Sequence, residues 1–190
     1  SRQTLLFSAT YPEGIKGISA SVQKEPVEIR VEDSHHSPDI EQVFFKVGKN
    51  ERVQTLLKAI AHYQPESTLV FCNTKQQCHE LAGELRQHDL HALALHGDLE
   101  QFERDQVLTQ FAGKSSSMLI ATDVAARGLD VKELAAVVNF ELSRDPEVHI
   151  HRIGRTARAG SKGLAVSLFT DSERRYLDAI EEYQDSAAHI

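Results

Sequence analysis

No apolar run in this chain approaches the roughly eighteen residues a membrane-spanning helix needs. The first residues show neither the basic start nor the apolar stretch of a secretory signal, and the expected location is cytoplasmic. Cysteine is scarce. Cys72 and Cys78 are too few for a disulfide framework, and Cys72 closes the apolar run "LVFC" at 69–72, which reads as the setting of a reduced core thiol rather than a metal ligand. Positive charge is also in deficit: 21 Lys and Arg stand against 28 Asp and Glu, a formal net charge of -7. That balance argues against a protein that grips nucleic acid through a broad basic face. A phosphate loop is missing as well. Gly113-Lys114-Ser115 looks like its tail, but Leu108 stands where the first glycine belongs, and the segment leads into a strand rather than a helix, so it reads as a surface turn.

What the chain does hold, in 190 residues, is 41% hydrophobic and 26% charged residues, the make-up of one ordinary soluble domain with room for an appendage. It opens with "RQTLLFSAT", an apolar strand-like run ending in small hydroxyl residues, and reads as if taken from the middle of something longer. Residues 11–26 are weakly helical, and 27–39 pass from a short alternating strand into a polar linker, placing a boundary near Pro38. Beyond it the pattern is regular. Strands are expected at 41–47, 68–72, 91–96, 117–122, 134–140 and 163–169, with helices at 51–63, 76–88, 101–111 and 172–183. Short buried strands alternating with amphipathic helices predict the α/β class: a parallel sheet covered by helices on both faces. Ligands of such sheets meet the loops at the carboxyl ends of the strands. Those ends are polar here, with Asn73-Thr74-Lys75 after "LVFC", Gly97-Asp98 after "LALH" and Thr122-Asp123 after "MLIA".

Several constellations reduce to ordinary readings. His149 and His151 form H-x-H, but positions two apart on a helix face different sides and cannot share a metal without distortion. His35-His36 sit in the linker, where solvated histidine is the default. "FSAT" is not the G-x-S-x-G turn of a hydrolase nucleophile. The segment "HRIGRTARAG" at 151–160 is different, because Arg152, Arg155 and Arg158 recur every three residues. Between His151 and Gly163 there are four Arg or Lys and no acid. On a helix or its end, that spacing lays the arginines along one side, and Gly154 and Gly160 would admit close approach by a ligand or backbone. Three arginines alone fit a solvated surface; a guanidinium cluster also suits a phosphate in transfer.

Context bears on that choice. "LLFSAT", "LVFCNTK", "HGDLEQFER", "ATDVAARGLD" and "HRIGRTARAG" resemble, in order and spacing, the motifs of the DEAD-box family of ATP-dependent RNA helicases, over nearly the whole chain. The resemblance implies a RecA-like domain, the second of two that close on ATP and single-stranded RNA. Residues 39–190 would be that second domain, and 1–38 a remnant of the first plus linker. Arg155 and Arg158 would be arginine fingers for the β- and γ-phosphates of ATP, whose Mg2+ is held by the first domain. His151 would meet the first domain's acidic and S-A-T motifs at the closed interface. Arg152 would be structural, paired with Asp123. Asp130 would accept from the ribose hydroxyls, with Gly128 giving room; a helix cap is its plainer reading. Asn73, Thr74, Lys75, Gly97, Gln101, Arg104 and Thr122 would track the RNA sugar-phosphate backbone; Gln101 and Arg104 also read as an exposed i,i+3 pair. Ser8 and Thr10 would belong to the S-A-T motif that couples nucleotide state to strand separation.

"LHGDLEQ" and "VVNFELSRDPEVHIHRIGRTARAG" are similar to the bacterial DbpA-type subfamily, which acts in large ribosomal subunit assembly and carries a C-terminal RNA-binding domain selecting an rRNA hairpin. RNA, including rRNA, is therefore the expected partner, along with the first domain; a membrane is not. With no D-E-A-D sequence and no adenine-reading glutamine motif, the chain alone is expected neither to hydrolyse ATP nor to unwind a duplex. A non-catalytic interaction module and a DNA-directed relative remain as alternatives.

Overall fold

The computed structural model describes residues 5–8, 27–29, 40–96, 99–112, 118–127, 134–156 and 163–188, with 5–8, 27–29 and 186–188 as backbone alone. The strands are β1 (Leu5–Ser8), β2 (Val27–Ile29), β3 (Ile40–Lys46), β4 (Thr68–Phe71), β5 (Ala92–Leu95), β6 (Met118–Ala121), β7 (Ala136–Asn139) and β8 (Gly163–Phe169). The helices are α1 (Arg52–Tyr63), α2 (Lys75–Gln87), α3 (Gln101–Ala112), α4 (Asp123–Arg127), α5 (Pro146–Ile153) and α6 (Arg174–Ala188).

All the strands lie in one sheet of order β2-β1-β3-β8-β7-β4-β6-β5. From β3 to β5 every pairing is parallel, which gives the expected six-stranded parallel sheet. At its edge β1 runs antiparallel to β3, with Phe7 opposite Phe44, and β2 runs parallel to β1. The helical reading of 11–26, the linker around Pro38, His35-His36 and the turn at 113–115 lie outside the described residues.

Alternation along the central strands decides which helix covers which face, because neighbouring side chains of a strand point to opposite sides. Val70, Cys72, Ile120, Val138 and Val166 face α1 and α2, meeting Leu56 and Ala59 of the first and Cys78, Leu81, Ala82 and Leu85 of the second. Leu69, Phe71, Leu119, Ala121 and Val137 face the other way, onto Ala125 and Ala126 of α4 and the half-buried Val107, Leu108 and Phe111 of α3. On that same face α6 seals Phe44 and Phe169 with Leu177 and Ile180, while Ile153 of α5 covers Ile40 and Ala165. With both faces covered, the central strands β4 and β6 are buried at every position.

Local chemistry sets the helix ends. The Thr74 hydroxyl accepts from the Gln77 amide at 3.1 Å and starts α2. Asp145 caps α5 by accepting from the Glu147 amide at 2.9 Å, with Pro146 in the first turn, where its missing N–H costs nothing. α1 closes on Gln64 in the left-handed region (φ 45°), its amide returning to the Ile60 carbonyl.

Candidate functional site

Of the polar residues expected at strand ends, Asn73 and Asp123 meet where β4, β6 and β7 finish side by side, and a buried arginine holds them together. Arg152, on α5, has a side chain only 1% exposed. Its Nε and Nη2 donate to the two Asp123 carboxylate oxygens, each at 2.7 Å. Nη2 also donates to Asn73 Oδ1 at 3.0 Å, and Nη1 donates to the Glu141 carbonyl at 2.8 Å and to Asn139 Oδ1 at 3.4 Å. Those acceptors match the five N–H groups of a guanidinium one for one. The Phe71 ring lies 5.1 Å below the guanidinium carbon. Burial would ordinarily penalise such a charge; the forked carboxylate and full set of acceptors offset that cost.

Asn73, though exposed, makes three bonds. Its backbone N–H donates to Glu141 Oε1 at 3.0 Å, its Nδ2 to the Leu142 carbonyl at 3.3 Å, and its Oδ1 accepts from Arg152. Thr74 and Lys75 follow, both exposed, at the start of α2. Thr122 plays for α4 the part Thr74 plays for α2, its Oγ1 accepting from the Ala125 amide at 3.3 Å. Gln101 is exposed and donates to Asp105 Oδ1 at 2.8 Å, whereas Arg104 is half-buried on the stripe of α3 that includes Val107, Leu108 and Phe111.

After Ile153 the chain tightens into a 3-10 turn at Gly154–Thr156. Arg155 is half-buried there and donates from Nη2 to the Ala126 carbonyl at 3.0 Å. Arg152 and Arg155 therefore both face α4, one turn apart on each helix. The Arg155 backbone is tied to the start of β7. Its own carbonyl accepts from the Leu134 amide, two residues before β7 begins. Thr156, fully buried, donates to the Leu134 carbonyl at 2.8 Å and accepts from the Leu164 amide at 3.2 Å, joining the starts of β7 and β8. Gly163 is required at that joint, since a Cβ there would lie 2.4 Å from the Thr156 carbonyl oxygen. Gly154 is open, with nothing within 4 Å of where its Cβ would be.

His149 and His151 look opposite ways from α5: His151 is exposed and His149 has no exposure. His149 stacks on Phe44 at 5.9 Å, and its Nε2 lies 3.4 Å from Gln42 Oε1, which also accepts from Gln184. Burial, with the neighbouring Arg152 charge adding to it, lowers the His149 pKa from 6.5 to about 3. Cys72 and Cys78 are both fully buried and unbridged. The Cys78 contact first and burial second push the Cys72 thiol far up, so it is no thiolate nucleophile. Among the described residues, no group of three or more His, Cys, Asp or Glu could hold a metal ion. Thr10, Gly97, Gly128, Asp130, Arg158, Gly160 and the Ser8 side chain lie outside the described residues.

Sequence reasoning passed over Glu141, Asn139 and Ser167, whose Oγ accepts from Asn139 Nδ2 at 2.9 Å. The signal was available for Glu141, an acid that follows the apolar run of β7 as Asn73 follows that of β4. An open groove of about 520 Å³ at the ends of β3 and β8, beside Lys49 and Arg52, includes none of the expected site residues.

Comparison with known proteins decides the family. Residues 48–160 match the family described as the helicase conserved C-terminal domain. The solved C-terminal domain of the DEAD-box protein Dbp5 is 35% identical, with a TM-score of 0.66 over 72% of this chain and 79% of that one. The chain belongs to the DEAD-box helicases, as their C-terminal RecA-like domain. A DEAD-box protein from Methanococcus jannaschii gives a TM-score of 0.70 at 36% identity, over 93% of this chain and 47% of its own. The ATP-dependent RNA helicase DbpA of Escherichia coli strain K12 is 50% identical over 182 residues, 96% of this chain. This DEAD-box chain spans 40% of that relative's length.

Proposed function

We propose that this chain works within a longer ATP-dependent RNA helicase as the lobe that closes on ATP seated on a preceding RecA-like domain and clamps the RNA backbone during unwinding. Arg155 and Arg158 act as the fingers. The observation that carries this reading is the Arg155 guanidinium, held against α4 on a turn that Arg152 and Thr156 fix to the sheet. A pre-aimed guanidinium stabilises charge developing on a transferring phosphoryl group without reorganising during the reaction. His151, exposed beside it, meets the first domain, where Ser8 and Thr10 of the S-A-T motif couple closure to strand separation. Asp130 takes the ribose hydroxyls with Gly128 giving access, and Mg2+ belongs to the first domain.

The RNA face is Asn73, Thr74, Lys75, Gly97, Gln101, Arg104 and Thr122. Contacts to sugar and phosphate fix a strand without reading its bases, and mostly neutral donors suffice, so a chain of net charge -7 can make them. The reading extends to a cytoplasmic role in ribosome assembly on rRNA, on the ground of the DbpA-type wording of "LHGDLEQ" and "VVNFELSRDPEVHIHRIGRTARAG".

Arg158→Ala in the full-length protein should leave nucleotide-free RNA binding nearly intact and remove most ATP turnover; unchanged turnover refutes the finger role. This chain alone should release no phosphate from ATP in an RNA-stimulated assay, and turnover that survives repurification would contradict that. Stimulation of the full-length ATPase by DNA as strongly as by RNA of equal sequence would turn the reading toward a DNA-directed enzyme.

A further inference from the structure

Glu141 stands at the rim of the proposed RNA surface, in a chain already short of positive charge, where a carboxylate would repel the phosphates it is near. Its bonds suggest why it is there. Glu141 Oε1 accepts the Asn73 backbone N–H at 3.0 Å, and its carbonyl takes Arg152 Nη1 at 2.8 Å. The next carbonyl, Leu142 O, takes Asn73 Nδ2 at 3.3 Å. These three bonds tie the residue before the Thr74 cap to the end of β7 and, through Arg152, to Asp123. An ionised acceptor holds a backbone N–H about twice as strongly as a neutral one.

We propose that Glu141 is a positioning residue for RNA: by holding the Asn73 amide, its carboxylate presets the loop that presents Thr74 and Lys75 to the strand. The inference rests on the RNA-clamping reading given above and adds to it the residue that shapes the clamp. In this arrangement the 73–75 loop, the start of α4 and α5 form one connected body, because Glu141 and Arg152 share the same two neighbours, Asn73 and the β7 end.

Charge and positioning give opposite signs, which makes the test sharp. Binding of a fluorescein-labelled single-stranded oligouridine to this chain would be followed by anisotropy over a range of salt, for the unchanged protein and for Glu141→Ala, Glu141→Gln and Glu141→Asp. Thermal unfolding and amide exchange at residues 73–75 would be measured alongside. As a mere negative charge, Glu141 would weaken binding, so Ala and Gln would tighten it and Asp would change nothing. As a positioning residue, its loss in Ala weakens binding about tenfold, on the scale of one charged hydrogen bond. Asp, which keeps the charge but is a methylene too short, weakens it nearly as much. Gln, which keeps an acceptor oxygen at the same reach, stays within about threefold of the unchanged chain by the same scale. Faster exchange at Asn73 accompanies the loss in Ala and Asp but not in Gln. Unchanged or tighter binding by Asp overturns the proposal, and so does equal weakening in Asp and Gln; these comparisons hold even if the Ala variant does not fold. Absence of binding by the unchanged chain would overturn the RNA reading itself and this inference with it, so the two failures are told apart.

Discussion

Arg152 and Arg155 are three residues apart and both turned toward α4, yet one is buried and the other only half-buried. Arg152 has a forked carboxylate and three further acceptors, and no route to anything outside. Arg155 is half-buried and rests its Nη2 on a neutral carbonyl. In the proposed reading the same motif supplies a buried anchor and, beside it, the arginine that meets a phosphate.

The sharpest way to break this contrast is Arg155→Ala in the full-length protein, where ATP turnover should fall by about 10³-fold or more. The same change should lower the stability of this chain, read from urea unfolding, by less than the loss of the buried Arg152 does. Arg152→Ala should reverse the pattern in the folded chain, with a loss of about 3–5 kcal/mol, because Asp123 and the two asparagine oxygens lose their donor. Arg152→Lys should recover little of it, since an ammonium cannot reproduce the fork. α2 and α3 extend the comparison to packing. Leu81→Ala, at a fully buried position of α2, should cost about 2–5 kcal/mol, and Val107→Ala, on a helix with no buried residue, about 1 kcal/mol.

The smallest effect at neutral pH, and one that grows in acid, concerns His149 on the inner side of α5. Its folded pKa of about 3 lies below the ordinary 6.5, so the unfolded chain takes up this proton first. Its contribution is intact above about pH 6.5 and is lost as pH falls from there toward 3, at about 1.4 kcal/mol per pH unit at most. His149→Phe should flatten that part of the unfolding free energy measured against pH, leaving the carboxylate contribution.

The strands were legible in the sequence because a sheet covered on both faces makes its strands apolar throughout: "TLVF" and "MLIA" are buried at every position. The three-residue spacing of the arginines was legible too, and Asp123 and Ala126 match it from α4. Their unequal burial was not, since nothing local to "HRIGR" tells that Asn73 and Asn139, 79 and 13 residues away from Arg152, converge on it. Glu141 escaped notice because an acid at a strand end looks like surface decoration until its partner amide is seen.

The buried hydroxyl of Thr156 has a last implication. It staples the turn bearing Arg155 to the beginnings of two central strands, and Gly163 leaves no slack beneath it. A backbone mounted so stiffly has little scope to swing by itself. In the proposed reading, therefore, the arginine reaches a triphosphate by travel of the whole lobe, and the hinge between lobes sets the timing.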